Sequence, residues 1–125
     1  MKKLIAIGLS VFALETSAYF ASGNDLATVA QNFTNDTGEK GLYLGLVLGA
    51  ASVYARPETG AYAICYPPNA TGGQIAKVTA KYLEDHPEEL HYSADLLIWA
   101  SHLDAFGKQD DPSCWKHDAW LKKNS

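Results

Sequence analysis

The chain reads as a small all-α protein, one domain folded as a bundle of four or five helices, and three observations predict that class. Two amphipathic helices with recognisable ends lie between Thr71 and Gly107. The connector between them is short enough to fold them back on each other as an antiparallel pair. The uncharged run Gly41–Ala55 has the length of a buried helix. At 125 residues there is room for one core, and 47% hydrophobic residues with three Trp and seven Tyr suffice to build it.

Lys2 and Lys3, the apolar stretch Leu4 to Leu14 and the small residues Thr16, Ser17 and Ala18 form the pattern of a signal peptide. That stretch is too short to cross a bilayer core of roughly 30 Å at 1.5 Å per helical residue. Residues 1–18 are therefore expected to be a leader cut after Ala18, leaving 19–125 as the helical domain with no membrane span.

Asn24 can cap a short helix carrying Leu26, Val29, Ala30 and Phe33 on one side. The polar cluster Asn35-Asp36-Thr37-Gly38 is a turn, and the apolar helix Gly41–Ala55 follows between Lys40 and Arg56. Gly41, Gly45 and Gly49 fall on one face of it. Either a neighbouring helix of the same chain or a second copy of the chain approaches closely there, because each interior glycine costs about 1 kcal/mol of helix propensity relative to alanine. Pro57 to Gly60 reads as a loop, and Ala61 to Tyr66 as a short extended piece entering Pro67-Pro68.

Thr71 with Gln74 three residues later is a capping box, and Ile75, Val78, Thr79, Tyr82 and Leu83 form the apolar face of the helix it opens. Pro87 ends that helix, since proline disfavours helical backbone at the residue before it. Ser93 can cap the next, whose stripe is Ala94, Leu97, Ile98, Leu103 and Phe106, with Gly107 as its stop. Asp111-Pro112 then supplies a cap and a first-turn proline for a last helix through Lys123, with Trp115, Ala119 and Trp120 on its apolar side and Lys122 and Lys123 at its negative end.

A formal charge of −4 argues against nucleic acid as a partner, since neutralising phosphates needs a basic face. Export places Cys65 and Cys114 where thiols pair, and two cysteines allow one bridge, for which loop closure gives roughly 4 kcal/mol. The competing use of Cys65 is as a nucleophile with His86, His91 or His102 as base, but it sits in no cysteine-protease signature. Glu84, Asp85, His86, Glu88, Glu89 and His91 could be drawn as a metal site, although no paired ligand spacing is present; as solvated charges at a helix end they also suit an acidic recognition patch. Asn32, Asn35 and Asn69 fit the glycosylation acceptor pattern.

The ordered string I-C-Y-P-P-N-A-T-x-G-Q, K-Y-L-E-D-H-P-E-E-L-H and S-A-D-L-L-x-x-A, from Ile64 to Ala100, resembles the core motif of the Rap/Tai-type immunity proteins. The likeness is close to Phe106 and looser over the preceding apolar run. It implies a non-enzymatic periplasmic protein of a Gram-negative bacterium, without cofactor or metal, that binds and blocks a peptidoglycan-cleaving amidase effector of a type VI secretion system. The bacterial setting leaves the acceptor sequences silent. Two departures matter: the family's further N-terminal cysteines are missing, and Gly107 to Ser113 stand between A-F and the closing cysteine. The expected docking surface is the connector, Glu84, Asp85, His86, Glu88, Glu89, His91 and Tyr92, joined by Tyr66 and Asn69 of the preceding turn; Leu90 and Tyr92 could instead staple the two helices together. The competing function is a periplasmic binding or assembly domain with the same motif and no toxin partner.

Overall fold

The computed structural model describes residues 21–36 and 40–125; the expected leader and its cleavage site lie outside them. Five α-helices are present among the described residues: α1 Gly23–Thr34, α2 Lys40–Tyr54, α3 Gly72–Asp85, α4 Ala94–Phe106 and α5 His117–Asn124. Short 3-10 turns span Pro57–Tyr62 and Pro87–Glu89. No described residue belongs to a strand, and two isolated bridges, Ser22 to Ser93 and Ile64 to Lys108, tie distant segments together. No described helix is long and apolar enough to cross a membrane.

The expected capping box opens α3. Thr71 Oγ1 accepts the Gln74 N–H at 3.2 Å and Gln74 Oε1 accepts the Thr71 N–H at 2.9 Å, so two backbone donors of the first turn are satisfied locally. Helix α1 starts in the same way, but from Ser22 with Asp25. Asn24 is not the cap: its backbone and side-chain N–H groups both go to the Leu90 carbonyl. Nor does the Ser93 side chain cap α4. The Ala94 N–H, the first of the helix's unpaired donors, goes to the Ala21 carbonyl at 3.0 Å, so a distant segment rather than the cap side chain secures this end. Gly107, at φ 78°, stops α4 as expected.

Two clusters form the interior. Leu26 and Ala30 of α1, Tyr43 and Val47 of α2, Ala76 and Leu83 of α3, and Ala94, Leu97 and Ile98 of α4 make the larger. The smaller gathers Ala51, Ile64 and Tyr66 against Trp99, Leu103 and Phe106. The buried line of α3 runs through Ala76, Thr79 and Leu83, with Ile75, Val78 and Tyr82 half-buried on its flanks. Ala76 is fully buried there, and the buried Tyr43 hydroxyl of α2 donates to its carbonyl.

Helix α2 buries Tyr43, Val47 and Ala51, so its glycine face points away from the core, and of the two close approaches considered for it, the one by a helix of the same chain is not made among the described residues. A Cβ built on Gly41, Gly45 or Gly49 meets nothing within 4 Å. The close approach is at Gly23, where a Cβ would stand 2.3 Å from Leu97 Cδ1 and 2.6 Å from the Leu90 carbonyl oxygen. The C-terminal helix also departs from expectation. The Asp111 carboxylate does accept the Ser113 N–H and hydroxyl, at 2.8 and 2.7 Å, as a cap would, but only turns follow it, and α5 begins at His117 and leaves Trp115 outside it. Pro57–Tyr62, read from sequence as a loop and an extended piece, is one 3-10 stretch kinked at Gly60, φ 63°.

Gly23→Ala is therefore expected to lower the unfolding free energy by roughly 2 kcal/mol, because backbone as well as side chain must move. Gly45→Ala, in open space on a helix, should raise it by about 0.5–1 kcal/mol. Urea denaturation of the two variants reads both signs.

Candidate functional site

The connector expected to meet a partner is built by the end of α3 and fastened to the start of α1. The His86 Nδ1–H donates to the Tyr82 carbonyl at 2.8 Å, and the two rings stack with centroids 3.9 Å apart. The Tyr82 hydroxyl reaches over the 3-10 turn to Glu89 Oε1 at 2.8 Å. Beyond the turn, the Leu90 carbonyl accepts from Asn24 and the Tyr92 carbonyl accepts the Gly23 N–H at 2.7 Å. Leu90 packs half-buried on the core and is the staple; the Tyr92 side chain is 44% exposed and lies beside the His91 ring at 4.2 Å. The accepting Tyr82 carbonyl, and then the Glu89, Glu88 and Asp85 charges, raise the His86 pKa above its usual value.

The acids on this surface divide by what they already hold. Asp85 pairs with Lys81 at 3.0 Å and Glu89 accepts from Tyr82. Glu84 and Glu88 are exposed and have no side-chain hydrogen bond or ion pair among the described residues. Ligand atoms of His86, Glu88 and Glu89 lie within 4.8 Å of one another, the one grouping among the described residues that could hold a cation. Its neighbours Glu84, Pro87 and Leu90, with Ala27, Ala30 and Leu83, line an open groove of about 520 Å³ between α1 and α3. Sequence spacing gives no sign of that groove, because its two walls come from helices far apart in the chain.

The Tyr66 to Asn69 turn stands before the other end of α3, and a 14-residue helix at 1.5 Å per residue separates it from the connector by about 20 Å. The structure does not bring the two expected docking patches together. Asn69 is exposed, but Tyr66 is 9% exposed and its ring packs on His102 and Phe106. Tyr66 Oη lies 2.7 Å from His102 Nδ1, His102 Nε2 2.9 Å from Thr79 Oγ1, and Thr79 Oγ1 2.8 Å from Ser101 Oγ. Ser101 in turn donates to the Ile98 carbonyl at 2.8 Å. That last bond sets the direction of the chain as far as His102. Ser101 must therefore accept from Thr79, and Thr79 from His102 Nε2–H; in the neutral imidazole that burial favours, Nδ1 carries the lone pair and accepts from the Tyr66 hydroxyl. Burial lowers the His102 pKa to about 4. Sequence inspection passed over His102 as a core residue, although it continues the Ala94, Ile98 spacing by one more turn.

Cys65 and Cys114 are bridged, with Cα atoms 5.9 Å apart. The sulfur that a nucleophilic role would need is thereby engaged, and His102 is held by bonds at both nitrogens.

Residues 22–107 match the family model of Rap1a immunity proteins. The match takes in α1 to α4 and the connector and stops before Cys114 and α5. No curated protein and no solved structure matches the chain.

Neutral burial of His102 makes stability depend on pH. Its folded pKa is about 4 against 6.5 for the free side chain, so the unfolded chain binds the extra proton between those values. This contribution is complete above pH 6.5 and is lost as pH falls toward 4, by roughly 3 kcal/mol. His86, half-buried and with a raised pKa, works in the opposite sense. Melting curves across that window should show the loss, and His102→Gln should flatten it.

Proposed function

The chain belongs to the Rap1a immunity protein family, and from that premise we propose that it is exported to the periplasm and there binds and blocks a peptidoglycan-cleaving amidase delivered by a type VI secretion system. Immunity against a toxin effector follows from the family; the amidase, the secretion system and the compartment are our reading. The observation that carries the docking face is the connector. Glu84, in the last turn of α3, and Glu88, on the 3-10 turn after it, stand exposed and uncommitted where Pro87, the Tyr82–Glu89 bond and two carbonyl contacts to α1 fasten the chain. A rigid acidic turn meets a basic active-site rim with little ordering cost, and its charge speeds the encounter. Inhibition of this kind needs occlusion only, and no group of the chain has to react.

A second copy of the chain is a further partner that we propose. Leu42, Leu46 and Val53 are exposed on the outer side of α2, 50, 37 and 51%, with Gly49 between them and no charge from Gly41 to Ala55. Such a face is suited to its own copy across a two-fold axis. Leu46→Glu should then lower the mass seen by sedimentation equilibrium to that of one chain; a wild-type protein that is already monomeric at high concentration would refute this pairing.

For export, intact mass of periplasmic protein should correspond to a chain starting at Tyr19, and full-length cytoplasmic protein would contradict it. For docking, Glu84→Lys with Glu88→Lys should leave the melting temperature unchanged and weaken binding to the cognate amidase about 10- to 100-fold, with loss of protection in a lysis assay. The Glu89 side chain is left in place because Tyr82 depends on it. Full protection by the reversed protein would move the interface elsewhere, and a wild-type chain that binds no amidase would favour a periplasmic binding or assembly domain.

A further inference from the structure

Beyond the family match the chain carries a C-terminal strap, residues 108–125, laid across the segment from Ala55 to Tyr66. Its near end is built in. Ile64 and Lys108 form a bridge, the Gln109 N–H donates to the Ala63 carbonyl at 3.0 Å, and the buried Gln109 side chain gives its amide to the Ala55 and Ile64 carbonyls at 2.9 and 2.8 Å.

The far end, residues 110–125, is attached differently. Helix α5 fully buries none of its residues, and Trp115 and Leu121 are 57 and 46% exposed. Single side-chain bonds to carbonyls hold it: Trp115 to Tyr66 at 2.7 Å, Lys116 to Ala55 at 2.9 Å, Trp120 to Gly60 at 3.1 Å and Asn124 to Pro57 at 3.0 Å. Bonds of this kind are exchanged for water on opening and contribute little net free energy, whereas every ordered residue has given up backbone entropy. The attachment that decides between docked and free is therefore the disulfide.

We propose that Cys65–Cys114 is a redox-operated latch: closed, it keeps residues 110–125 docked on the Ala55–Tyr66 segment; opened, it releases them while the α1–α4 core remains folded. The opening step takes two electrons and two protons from a dithiol reductant. One of its thiolates attacks a sulfur of the bridge and forms a mixed disulfide, its second thiolate resolves this, and the reductant leaves as a disulfide with Cys65 and Cys114 as thiols. Cys114 is 8% exposed and Cys65 half-buried, so attack waits on fraying of the strap. Release also takes the Trp115 indole from the Tyr66 carbonyl, the last anchor before the Pro67 to Asn69 turn. The latch is a property of the free chain and stands apart from the docking face proposed above.

Hydrogen exchange read by mass spectrometry tests it, comparing the oxidised chain with the same chain in dithiothreitol, the thiols being counted by alkylation. Peptides within 110–125 should exchange at least about tenfold faster on reduction while those inside α3 and α4 stay within about twofold. Cys65→Ala with Cys114→Ala should show the released pattern without reductant and no response to it. An unchanged strap in fully reduced protein would overturn the proposal, because the strap would then need no latch. Equal acceleration of strap and core would overturn it too, because the bridge would then be a staple of the whole fold.

Discussion

The fold depends on one buried histidine being neutral. His102 donates to Thr79 on α3 and accepts from Tyr66, the residue that follows Cys65, so a single imidazole joins both halves of the central helix pair to the segment that carries the disulfide. Apolar contacts alone would allow these elements to slide, since dispersion and the hydrophobic effect have little direction. A chain of hydrogen bonds in which each donor has one acceptor does not. It fixes the rotation of α4, sets where Tyr66 lies against Phe106, and so places Cys65 within reach of Cys114. A charged His102 would have to reverse that bond, donating to the Tyr66 oxygen, and would bury a charge with no counter-ion beside it among the described residues, so the pin is most stable with the imidazole neutral.

Elements whose ends are satisfied locally were legible in the sequence, and those satisfied at a distance were not. Thr71 and Gln74 cap α3 from within four residues, and Gly107 stops α4 by its own backbone, so spacing revealed both. The start of α4 falls where the sequence puts it but is secured differently: the Ser93 side chain makes no cap bond, and Ala21, far away in the chain, takes the first N–H of the helix. Asn24 has the chemistry of a cap, but the Leu90 carbonyl claims its donors. The glycines of α2 were legible as a shared face, yet their spacing carries no sign of whether that face turns inward or outward. Gly23 in α1, which does sit at a close approach, has no periodicity to mark it.

The candidate site shows the same division. The connector could be read as an exposed acidic turn from Pro87 and its neighbours, but the commitments of its side chains could not: Glu89 serves Tyr82 and Asp85 serves Lys81, leaving Glu84 and Glu88 to define the free charge. The Tyr66 turn and the connector are close to α3 in sequence on either side, and the length of that helix holds them apart. A partner that met both would have to run along α3. One that met the connector alone would find the groove between α1 and α3 beside it.

Immunity by occlusion is tested most directly by hydrogen-exchange footprinting of the chain with and without a cognate peptidoglycan amidase. Protection confined to residues 84–92, extending along the groove walls at Ala27 to Asn35, is the predicted result. Protection centred on α5 or on the outer side of α2, with the connector unchanged, would contradict it.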